Sequence, residues 1–126
     1  IDGDGCRDSD EDLNDDADGF DDANDDCPTL AGTSTNGTIG CLDTDGDGWS
    51  DTTDDCPDSA GNSTLNGSNA CPDNDGDGWS NADDAFPDEV TQWADSDSDG
   101  FGDNTQGVTP DACPSVPGTS TIDRLG

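Results

Sequence analysis

The chain contains no histidine, lysine, methionine or tyrosine, and its only basic residues are Arg7 and Arg124. The absence of imidazole and amine side chains removes histidine-based acid-base and nucleophilic catalysis, Schiff-base chemistry and the usual zinc sites. Glutamate is nearly missing too, with Glu11 and Glu89 alone among 33 acidic residues. A formal net charge of -31 repels nucleic acid and anionic membrane surfaces. Only 25% of residues are apolar and 5% aromatic, too few to offset the conformational entropy of ordering the chain by apolar burial alone. No apolar run approaches the roughly 20 residues of a membrane span. An unneutralised chain of this composition would be disordered. What is present supplies the neutraliser.

The stretch Asp43 to Asp54, DTDGDGWSDTTD, places carboxylates at loop positions 1, 3, 5, 9 and 12 and Gly48 at position 6. This is the pattern of a calcium loop: alternate side chains face inward, the glycine makes the sharp turn, position 7 gives its backbone carbonyl, and position 12 closes a shell of 6 to 8 oxygens. Two carboxylates about 4 Å apart repel by roughly 1 kcal/mol even in water, so five in one loop require a cation between them. Folding and calcium binding are therefore expected to be one event. A plain acidic tail would have no reason to alternate aspartate with glycine in register.

The pattern recurs about five times. The first copy offers Asp2, Asp4, Asp8 and Glu11 with the carbonyl of Cys6, its position 1 falling before Ile1. The second is Asn14, Asp16, Asp18, the carbonyl of Phe20, Asp22 and Asp25. The third is Asp43, Asp45, Asp47, Trp49, Asp51 and Asp54, and the fourth Asp73, Asp75, Asp77, Trp79, Asn81 and Asp84. The fifth begins Asp95, Asp97, Asp99, Phe101 and Asp103, but Gln106 occupies its position 12; counting back from the next Cys-Pro, Asp111 is the closing ligand after an insertion. All act as metal ligands in this reading, with on the order of five to ten calcium ions held at the weak affinities of extracellular modules. Every clustered aspartate is thereby accounted for, and the chain is not read as an enzyme. The aromatic at position 7 is free to lie on a neighbouring repeat.

The loops at 1-12, 14-26, 43-55, 73-85 and 95-112 leave spacers at 27-42, 56-72, 86-94 and 113-126, one tandem array in all. Six cysteines indicate disulfides and an oxidising compartment. Recurrence two places after position 12 and two before position 1 suggests that Cys27 bonds Cys41 and Cys56 bonds Cys71. In the third spacer Phe86 and Trp93 stand at those places and are expected to stack. Cys6 and Cys113 are left, to pair within the chain or across a junction with another copy. Asn36, Asn62 and Asn66 begin N-glycosylation sequons inside the two disulfide-closed spacers. Gly and Pro punctuate every block, so the fold expected is irregular, mostly coil, with single helical turns around 51-55 and 82-85. The start at Ile1, inside a repeat and without a visible signal peptide, reads as a processed product or a window of a longer chain.

DTDGDGWSDTTDDCP and its relatives resemble thrombospondin type 3 repeats over nearly the whole chain. The resemblance implies a nonenzymatic extracellular or cell-surface segment that wraps a line of calcium ions with little regular secondary structure. The departures are the aromatic at position 7, the Ser/Thr-rich spacers and the missing disulfide at Phe86 and Trp93. Taken together, the expectation is an elongated, calcium-stabilised, disulfide-braced and glycosylated rod. Its role would be structural: a unit of a filament, stalk or surface fibre whose partners are calcium and other copies of itself. The alternatives are an adhesion module that binds a glycan or protein through its calcium loops, and calcium storage or mineral nucleation.

Overall fold

The computed structural model describes residues 13-119 and the backbone of Thr121–Ile122 and Arg124–Leu125. The first loop, with Asp2, Asp4, Cys6, Asp8 and Glu11, lies outside the described residues. The chain divides at Ala60 and Gly61 into two compact units, the first carrying the second and third loops, the second the fourth and fifth. Among the described residues there is no helix, and the only strands are β1, Thr121–Ile122, and β2, Arg124–Leu125, paired antiparallel with Thr121 opposite Leu125. The fold is mostly coil, as the density of Gly and Pro predicts. Single helical turns do form, closed by Asp54 N to Ser50 O at 2.9 Å and Asp84 N to Ser80 O at 3.0 Å. They end at the closing aspartate, whose Oδ1 accepts from the amide two residues on, Cys56 N for Asp54 and Phe86 N for Asp84, each at 2.6 Å.

Two disulfides are present. Cys27 bonds Cys41, and Cys56 and Cys71 are both disulfide-bonded as well. Cys113 is exposed and free of one. The buried apolar residues among those described are Cys41, Ala70 and Cys71, so the interior is mostly not apolar. It is made of hydroxyls, amides and carboxylates: Ser34, Ser50, Ser63 and Gln92 have no exposed surface, and Ser80 and Asp111 have almost none.

Each disulfide-closed spacer is folded by one buried serine. In the first, the amides of Thr33 and Ser34 donate to the Cys41 carbonyl at 3.1 and 3.2 Å, Ser34 Oγ donates to Thr38 O at 2.6 Å, and it accepts from Cys41 N at 2.9 Å. In the second, Asn62 and Ser63 N donate to Cys71 O, both at 3.1 Å, Ser63 Oγ donates to Ser68 O, and it accepts from Cys71 N at 3.0 Å. The serine satisfies backbone groups that irregular chain would otherwise bury unpaired. Close approach explains the preceding glycine: a Cβ on Gly32 would lie 2.0 Å from the Cys41 carbonyl carbon, and on Gly61 2.0 Å from that of Cys71. The spacer then latches onto the next loop. Thr35 and Asn36 N both reach Gly48 O at 2.8 Å, and Thr64 and Leu65 N reach Gly78 O at 2.9 and 3.0 Å.

Candidate metal centre

Within each loop the backbone amides are spent on the carboxylates in one repeated order. At position 1, Asp43 accepts from Gly46 N at 2.8 Å through Oδ1 and from Gly48 N at 3.1 Å through Oδ2. Asp73 does the same with Gly76 and Gly78, and Asp95 with Ser98 and Gly100. At position 3, Asp16, Asp45 and Asp75 accept through Oδ1 from the amide of position 5, at 3.2, 3.2 and 3.1 Å. At position 5, Asp18, Asp47, Asp77 and Asp99 accept from the position 7 amide at 2.8 to 3.0 Å. These side-chain turns orient the carboxylates within the loop.

Such a path requires left-handed backbone at positions 4 and 6. Position 6 is always glycine, with φ from +92° to +112° at Gly19, Gly48, Gly78 and Gly100. Position 4 is glycine in two loops, Gly46 and Gly76 at +84° and +80°, but Ala17 and Ser98 adopt +62° and +63° in the others. That second requirement was not legible in the sequence, because alanine and serine fill it half of the time.

What remains in each loop is a set of oxygens with nothing to bond. Ligand oxygens of Asp16, Asp18 and Asp25 lie within 4.8 Å of one another, as do those of Asp43, Asp45 and Asp47, of Asp73, Asp75 and Asp77, and of Asp95, Asp97 and Asp99. Buried oxygens without a hydrogen-bond partner are Oδ1 of Asn14, Oδ2 of Asp16, Asp25, Asp45, Asp75, Asp77 and Asp111, and both oxygens of Asp97. Among the described residues, no backbone amide donates to the carbonyls of Phe20, Trp49, Trp79 or Phe101. Buried carboxylate oxygens left unpaired are costly unless a cation takes them. The donor set is all oxygen, which suits a hard divalent ion, and the orphaned oxygens fit one. These aspartate clusters could hold metal ions.

The electrostatics of the closing aspartates say the same. Burial pushes the Asp54 carboxyl above its usual range, against the Cys56 amide that lowers it, with Asp47, Asp45 and Asp51 adding repulsion. Asp84 is raised in the same way by burial and by Asp77, Asp75 and Asp73. Asp97 is raised by desolvation and by Asp99, Asp111 and Asp95, which puts Asp111 among the charges of the fifth loop. Asp111 also accepts from Cys113 N at 2.7 Å, as Asp25 does from Cys27 N at 2.7 Å and Asp54 from Cys56 N at 2.6 Å. Asp18 shifts the opposite way, lowered by amide hydrogen bonds from Gly32 and Phe20.

Position 9 is different. Asp22, Asp51, Asn81 and Asp103 each accept through Oδ1 from the amide of position 2, at 2.8, 2.8, 2.8 and 3.2 Å. Thr44 Oγ1 and Ser96 Oγ take the second oxygen of Asp51 and Asp103 at 2.7 and 2.5 Å. Position 9 thus braces the loop entrance in this structure; Asp22, Asp51 and Asp103, like the closing Asp54, Asp84 and Asp111, are not among the triads of ligand oxygens within 4.8 Å.

The glycosylation candidates Asn36, Asn62 and Asn66 are all exposed on the spacers. In the third spacer Trp93 is 37% exposed, and the residue that organises the chain there is Gln92. Compared with known protein families and with curated proteins, the chain matches none.

Proposed function

We propose that the chain is an extracellular structural segment whose aspartate loops bind calcium, akin to thrombospondin type 3 repeats, and that it serves as a unit of a filament, stalk or surface fibre. The observation that carries this reading is the fourfold recurrence of one hydrogen-bonded loop that leaves buried carboxylate oxygens without partners. A calcium ion at each loop neutralises charge that a sparse apolar interior cannot oppose, so calcium acts as the core of the fold. The disulfides suit an oxidising, extracellular setting. No helix among the described residues is long and apolar enough to cross a membrane. N-linked sugar at Asn36, Asn62 and Asn66 would cover the spacers.

The test is small-angle scattering of the chain, disulfides intact, in millimolar calcium and after chelation. A thin rigid particle that becomes an expanded coil on chelation supports the reading. The same compact particle in both conditions refutes it.

A further inference from the structure

We propose that Gln92 is the positioning residue of the fifth loop, holding the 104-110 excursion so that Asp111 returns to the cation pocket of Asp95, Asp97 and Asp99. This rests on the divalent-cation reading above. In the other described loops the closing aspartate follows position 9 by three residues: Asp22 and Asp25, Asp51 and Asp54, Asn81 and Asp84. In the fifth, residues 104-110 intervene between Asp103 and Asp111. A free excursion of that length would leave the closing ligand without a fixed place, since ordering each residue costs about 1 to 2 kcal/mol.

Gln92 removes that freedom. It has no exposed surface, and its side-chain amide is fully engaged with the two ends of the excursion. Oε1 accepts from Asn104 N at 3.0 Å, while Nε2 donates to Asn104 O and Val108 O, each at 3.0 Å. Thr91 completes the clamp: its Oγ1 accepts from Val108 N at 2.8 Å and its carbonyl from Asn104 Nδ2 at 2.8 Å. The amide packs directly on loop backbone, for a Cβ at Gly102 would lie 2.0 Å from Gln92 Oε1. Gly102 O in turn accepts from Asp111 N at 2.8 Å, delivering that residue to the pocket. Asp111 is 2% exposed, with Oδ1 satisfied by Cys113 N and Oδ2 buried without a partner. The spacer before this loop has Phe86 and Trp93 where others have cysteines, and the hydrogen-bonded glutamine does the bracing there.

The experiment follows the amides of Gly48, Gly78 and Gly100 by NMR as calcium is added to the labelled whole chain. Each donates to Oδ2 of its own position 1 aspartate, at 3.1, 2.9 and 2.9 Å, so the three report the third, fourth and fifth loops separately. Gln92→Ala is expected to weaken the affinity read at Gly100 by about ten- to a hundredfold, the scale of two or three buried hydrogen bonds. Gly48 should stay within about twofold, being distant in sequence and sharing no partner. Thr91→Val, which keeps side-chain size and removes the hydroxyl that accepts from Val108 N and donates to Glu89 Oε1, is expected to weaken the Gly100 response by about three- to tenfold. It decides the matter if Gln92→Ala fails to fold. Adding Asp111→Asn to Gln92→Ala should cost little more than either alone, because both act on one ligand. Unchanged affinity at Gly100 in the variants, or fully additive losses, overturns the role of Gln92. No calcium response at any of the three glycines in the unaltered chain overturns the cation reading itself.

Discussion

Replacing Gly46 or Gly76 by alanine isolates the cost of the left-handed backbone at loop position 4. Both glycines have positive φ, and a Cβ added at either meets nothing within 4 Å, so no clash enters the comparison. Forcing an L-residue into this conformation costs about 1 to 2 kcal/mol. Alanine recovers roughly 0.5 to 1 kcal/mol by narrowing the unfolded ensemble. The net loss is about 0.5 to 1 kcal/mol, and the reverse changes Ala17→Gly and Ser98→Gly should gain the same amount. In the proposed reading the loop and its ion form together, so the cost should appear as about a two- to fivefold change in calcium affinity at the altered loop. Calorimetric calcium titration and thermal unfolding at fixed calcium measure both. The reasoning is refuted if Gly46→Ala leaves affinity and stability unchanged or raises them, or if Ala17→Gly lowers them.

Replacing both Cys27 and Cys41 by serine, which opens a loop of sequence separation 14, should cost about 3 kcal/mol in calcium-saturated denaturant unfolding. Ser63→Ala removes a buried hydroxyl bonded to Cys71 N and Ser68 O, and is expected to cost about 2 kcal/mol in the same assay, whereas alanine at exposed Ser59 should be nearly neutral. Burial and the neighbouring carboxylates raise the Asp54 carboxyl above 3.8 in the absence of a cation, and a bound cation must displace its proton. Calcium affinity of the third loop should therefore fall as pH is lowered through that raised value, and Asp54→Asn should remove this part of the pH dependence, as read by calorimetric titration at a series of pH values. In saturating calcium the same substitution should destabilise at neutral pH, and a stabilisation there would show that Asp54 holds no cation.

The loops were legible because their chemistry is local. Aspartate at alternating positions with glycine at position 6 specifies a turn and its carboxylate cluster within a dozen residues, and even the return of Asp111 towards the charges of the fifth loop could be read from the Cys-Pro that follows it. The bond between Cys27 and Cys41 was readable from the same register. Ser34, Ser63 and Gln92 were not, since each is defined by backbone groups it meets only after the chain turns back, and serine in a Ser/Thr-rich spacer gives no pattern. Position 9 shows a second part that the linear motif does not. Its side chain, read there as a ligand, also accepts from the position 2 amide once the loop closes, most plainly at Asp51 and Asp103, where a neighbouring hydroxyl donates to the other oxygen.

An interior of serine, glutamine and aspartate also sets how the fold responds to temperature. Exposure of apolar surface raises the heat capacity of an unfolding protein and exposure of polar surface lowers it. With Ser34, Ser50, Ser63, Gln92 and Asp111 buried in place of leucines, the heat-capacity change on unfolding is expected to be small for a chain of this length. The stability curve should be correspondingly flat, with cooling weakening the fold less than it weakens one built on hydrophobic burial. Under the proposed cation reading, the supply of free cation rather than temperature would be the variable that governs this fold.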